Sequence, residues 1–77
     1  MTHMQADGYE TSYVEDAAAG SAGLELHRAS QGKKERIASV LFWDASGQFF
    51  VQTFGTDVPV QLIEKLIADA KNRVKTN

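Results

Sequence analysis

The 77-residue chain has no cysteine and a single proline. Without thiols there are no disulfide staples and no thiolate zinc site, and the composition suits a reducing, cytoplasmic setting. No apolar run approaches the roughly 18–20 residues that a membrane helix requires, so no membrane association is expected. No basic segment followed by an apolar stretch marks a secretory leader. The glycines form neither a GxGxxG pattern nor a phosphate loop, and no serine sits in GxSxG. The two histidines, His3 and His27, have no partner at ligand-like spacing, which argues against a zinc centre. Glu64 and Asp69 are five apart on a predicted helix and do not share a face. No cofactor, metal or catalytic residue is assigned, and a chain this short has little room for a deep ligand pocket. An enzyme is not expected.

Absence of staples also limits stability. Below about 70–80 residues one core rarely supplies more than ~3–5 kcal/mol, and oligomerisation is one of the few remedies open to such a chain. Charge is unevenly divided. Asp7, Glu10, Glu15, Asp16 and Glu25 precede every one of the eight lysines and arginines. The chain therefore begins acidic and continues mildly basic.

Residues 1–21 have few large aliphatic side chains and end in an Ala/Gly/Ser stretch, a composition that does not offset the entropy of ordering. They are read as a flexible acidic segment preceding a small domain at 22–77. Tyr9, Tyr13 and Val14 give this segment a means of docking, as an edge strand or across a sheet face. In "GLELHRAS" Leu24 and Leu26 alternate with Glu25 and His27, the period of a half-buried strand. "SQGKKE" reads as an exposed loop. "RIASVLFWD", Arg36–Asp44, and "QFFVQTF", Gln48–Phe54, are rich in β-branched and aromatic residues and read as two further strands.

"DASGQ" joins them as a hairpin turn. A three-residue loop ending in a left-handed Gly47 predicts Trp43 opposite Phe49 and Phe42 opposite Phe50. Asp44 is expected to accept a backbone hydrogen bond in this turn. One face would then carry Ile37, Leu41, Trp43, Phe49 and Val51; the other, Val40, Phe42, Phe50 and Phe54.

The remaining segment predicts a helix, with Asp57 as cap and Pro59 in the first turn. Val60, Ile63, Ile67, Ala70 and Val74 form its apolar stripe, widened by Leu62 and Leu66. Asp69 and Arg73 are spaced to pair. The expected fold is α+β: a three-stranded antiparallel β-meander with one C-terminal amphipathic helix on one face (β-β-β-α).

Both predicted sheet faces are apolar, yet one helix covers one face. Burying a large apolar side chain is worth roughly 1.5–3 kcal/mol, so an uncovered face implies a second surface. The expected function is a non-enzymatic interaction module. It would self-associate as a homodimer, or bind a protein partner, through a sheet face or strand edge centred on Phe42, Trp43, Phe49, Phe50 and Phe54. The alternative is a nucleic-acid-binding or regulatory, antitoxin-like domain. It would use Arg28, Lys33, Lys34 and Arg36 around the first hairpin loop and Lys71, Arg73 and Lys75 at the helix end.

Overall fold

The structure, a computed structural model, describes residues 8–30 and 32–74. It is α+β, as expected, with four strands in place of three. The strands β1 (Tyr9–Asp16), β2 (Ser21–Ser30), β3 (Lys33–Trp43) and β4 (Gln48–Thr53) are followed by α1 (Val60–Arg73). The sheet is an antiparallel meander in the order β1-β2-β3-β4. The added strand comes from the segment expected to be flexible.

The physical reason is a turn that composition alone disguised. Ala17–Gly20 is a four-residue loop whose closing Gly20 has φ of 74° and donates its N–H to the Asp16 carbonyl at 2.9 Å. The Asp16 carboxylate accepts from the Ala19 N–H at 3.1 Å. That turn folds Tyr9–Asp16 back along β2, with Tyr13 opposite Leu24 and Val14 opposite Gly23. It presents this segment as an edge strand and not as a cover for the sheet face. The expected "SQGKKE" loop contracts for a similar reason. Ser30 pairs with Lys33 across a tight turn containing Gly32 at φ 79°, so Lys33–Glu35 belong to β3.

The β3–β4 turn also differs from expectation. Gly47 has φ of 67° and donates to the Trp43 carbonyl at 2.8 Å, so Asp44–Gly47 form a four-residue loop. The Trp43 carbonyl, not the Asp44 carboxylate, closes this turn. The register moves by one residue. Trp43 pairs with Gln48, Phe42 with Phe49, Leu41 with Phe50, and Val40 with Val51. Because strand side chains alternate, this shift regroups the β4 side chains.

A bulge in β3 regroups one more residue. Leu26 pairs with Ala38 but His27 pairs with Arg36, which leaves Ile37 as the extra residue. Ile37 and Ala38 are both fully buried, two neighbours entering one core. The helix-side face therefore carries Leu24, Leu26, Ile37, Ala38, Val40, Phe42, Phe49 and Val51, with Tyr9 and Tyr13 on β1.

Helix α1 lies over β2 and β3. Its N-cap is Pro59, with no side-chain cap, so Asp57 does not play the expected part; the Pro59 carbonyl accepts from Leu62 and Ile63. Leu66 and Ala70 are fully buried at the centre of its contact face and Val74 is buried at its end, while Leu62, Ile63 and Ile67 flank them. Val60, expected in the stripe, is 69% exposed. Asp69 lies 4.0 Å from Lys65, and Arg73 stands over the Tyr13 ring, so the expected Asp69–Arg73 pair is not formed. No helix among the described residues is long and apolar enough to cross a membrane.

This packing makes the two ends of the stripe unequal. Leu66→Ala should cost about 2–5 kcal/mol in urea unfolding, whereas Val60→Ala should stay within about 0.5 kcal/mol.

Candidate interaction surface

The face opposite α1 is built from rows of cross-strand neighbours. Asp16, Ser21, Trp43 and Gln48 form one row; Val14, Gly23, Leu41 and Phe50 the next; Ser12, Glu25, Ser39 and Gln52 the third. Beyond them lie Glu10, His27 and Arg36, with Phe54 under the Arg36 guanidinium at 4.3 Å. The face grades from apolar at the β3–β4 turn to charged at the β2–β3 turn.

Its apolar part is partly uncovered. Phe50 is 44% and Phe54 37% exposed, and Val14, Leu41 and Trp43 are half-buried. Trp43 stands between two hollows. One, of about 490 Å³, runs along Phe50 and Gln52 to Ala45 and Ser46. The other, of about 260 Å³, lies toward Val14, Leu41 and Glu25. Gly23 lies in the row between Val14 and Leu41, where no side chain fits: a Cβ there would lie 2.0 Å from the Val40 carbonyl oxygen. Sequence reasoning named Val14 as a docking residue but missed Gly23, which is buried beneath this surface. The available signal was a lone glycine inside an alternating strand, a mark of close backbone approach.

Of the expected contact residues, Trp43, Phe50 and Phe54 share the open face, with Leu41 beside them. Phe42 and Phe49 lie on the helix side, their ring centroids 5.0 Å apart. The face assignment drawn from the three-residue turn is thus corrected for Val40 and Phe42, now on the helix side with Phe49 and Val51, and for Ile37, which leaves the company of Leu41 and Trp43.

The charged part of the face is internally paired. Arg36 Nη1 lies 3.1 Å from Glu25 Oε2, and His27 Nε2 lies 3.3 Å from Glu25 Oε1. Lys34 Nζ lies 3.2 Å from Glu10 Oε1. On the helix side, Arg28 reaches Glu35 at 3.4 Å, and the Tyr9 phenol followed by that carboxylate raises the guanidinium pKa above its ordinary value. Exposed pairs of this kind contribute little to stability; their larger effect is to offset the local positive charge. Lys33 is exposed at the start of β3.

The second basic group is elsewhere. Lys71 and Arg73 occupy the last helical turn, where the helix dipole favours cations. Arg73 and Val74 line a polar hollow of about 520 Å³ with Tyr13, Gly20, Phe42 and Asp44, at the end of the sheet away from the β2–β3 turn. Lys75 and His3 lie outside the described residues. The fold therefore separates the two basic groups rather than joining them. Among the described residues no cluster of three or more His, Cys, Asp or Glu is placed to hold a metal ion. Neither a protein-family model, a curated protein nor a solved structure matches this chain.

The Gly23 contact is the most restrictive feature of the surface. Gly23→Ala should lower the unfolding free energy by about 3 kcal/mol or more, because the obstructing atom is backbone. Gly47→Ala, with open space around it, should cost only the left-handed backbone penalty of about 1–2 kcal/mol. Urea titration of the two variants tests the ranking.

Proposed function

We propose that the chain is a small non-enzymatic protein–protein interaction module that self-associates through its β3–β4 hairpin, by the open sheet face or the adjoining strand edge. The observation that supports this reading is the apolar group of Val14, Leu41, Trp43, Phe50 and Phe54 on the face that α1 does not cover. A patch of this kind on a small domain is the usual mark of an association surface. The alternative, a regulatory, antitoxin-like domain, would instead use the basic residues of the first hairpin loop and the helix end.

Nucleic-acid binding through the basic residues is the weaker reading. Arg28, Lys34 and Arg36 each face a carboxylate, and Lys71 and Arg73 sit at the other end of the sheet. A phosphate-binding surface depends on uncompensated, contiguous positive charge.

Sedimentation at micromolar concentration should give twice the 8.4 kDa chain mass. Phe50→Asp should yield a folded monomer, because Phe50 lies outside the core. Phe42→Asp should destabilise the chain, because half-buried Phe42 packs against Phe49 on the helix side of the sheet. A wild-type chain that stays monomeric up to high micromolar concentration, with steeply salt-dependent binding to a short duplex, would replace this reading with the nucleic-acid one.

A further inference from the structure

Resting on the self-association proposed above, the geometry points to one mode for it: β4 of one copy pairs antiparallel with β4 of a second copy about a two-fold axis at Val51, merging two sheets into one of twice the width.

The backbone of β4 is set up for this. The Phe54 N–H donates to the Ile37 carbonyl at 3.2 Å, toward β3. Backbone polar groups alternate sides along an antiparallel strand, so Gln48, Phe50 and Gln52 also face β3. Phe49, Val51 and Thr53 then turn their N–H and C=O groups outward. β4 has no charge and no proline, so it lacks the devices that normally blunt an edge. The opposite edge is different. β1 carries Glu10, Glu15 and Asp16, and two such strands laid together would bring carboxylates side by side.

Side-chain exposure separates edge pairing from stacking of two open faces. Phe50, on the open face, is 44% exposed; Val51, on the helix side, is 47% exposed because α1 lies over β2 and β3. Stacked faces would cover Phe50 and leave Val51 in water. An added strand gives both residues neighbours, since cross-strand pairs form on each side of a sheet.

The register follows from parity. With the axis at Val51, Val51 pairs with its own copy and Phe49 pairs with the partner's Thr53. Every outward backbone group of the three residues is then bonded in both chains. Sliding by two residues, so that Phe49 opposes the partner's Val51, would place Thr53 against the Gly47 turn and leave its groups unpaired. The isologous arrangement closes on itself and stops at two copies.

Amide hydrogen exchange on the wild-type chain, read together with sedimentation, tests the mode. In a dimer the Phe49, Val51 and Thr53 amides should exchange at least about tenfold more slowly than on dilution to monomer. Val51→Lys, at an exposed position, should give a monomer with an unchanged circular dichroism spectrum, whereas Trp43→Asp, away from the edge, should remain a dimer. A dimer whose three outward amides exchange freely, or one that Trp43→Asp dissociates and Val51→Lys does not, would overturn edge pairing and leave self-association standing. A monomer at all concentrations would overturn both.

Discussion

One 14-residue helix offers one apolar stripe, and a four-stranded sheet has two faces and two edges. The rest of the structure depends on how that single stripe is placed. Leu66 and Ala70 sit over Leu24, Leu26, Ile37, Ala38 and Val40, so the helix closes the core on the two central strands. The edge strands flank that core, and among the described residues the far face has only its own side chains for cover. Among the described residues, an uncovered apolar face follows from having one helix, and the uncharged sequence of β4 leaves one edge unguarded.

Local backbone devices decide which side chains meet the helix. The loops Ala17–Gly20 and Asp44–Gly47 share one form, four residues closed by a left-handed glycine whose N–H returns to the residue before the loop. They lie at the same end of the sheet, where the Asp44 N–H donates to the Gly20 carbonyl at 2.8 Å. The first recruits β1; the second sets the β4 register. The bulge at Ile37 then sends two consecutive residues inward and returns Arg36 to the open face, beside Glu25 and above Phe54.

The charged residues are arranged around these choices. Cross-strand pairing brings Glu10 to Lys34, Glu25 to Arg36, and Glu35 to Arg28. The acidic beginning of the chain and its more basic continuation, segregated in sequence, are interleaved in space because β1 and β3 both flank β2. This interleaving lowers the weight of a phosphate-binding role and raises that of the apolar hairpin.

Much of the architecture was legible from residues alone. Alternation in "GLELH", the β-branched and aromatic runs around "DASG", and the three- and four-residue spacing after Pro59 identify three strands and a helix, since each pattern is local. So was the conclusion that apolar side chains occupy both sheet faces, because period-two alternation of consecutive large apolar residues fills both sides under any register. What only the tertiary structure decided is which residue lies on which face. A loop of three or four residues and a single bulge leave composition unchanged, yet each inverts the parity of every side chain beyond it. Whether "AAAG" is a turn or a tether likewise depended on a neighbouring strand being there to pair with. Parity and pairing are set between strands, by hydrogen bonds to partners distant in sequence, and those partners are fixed only when the chain has folded.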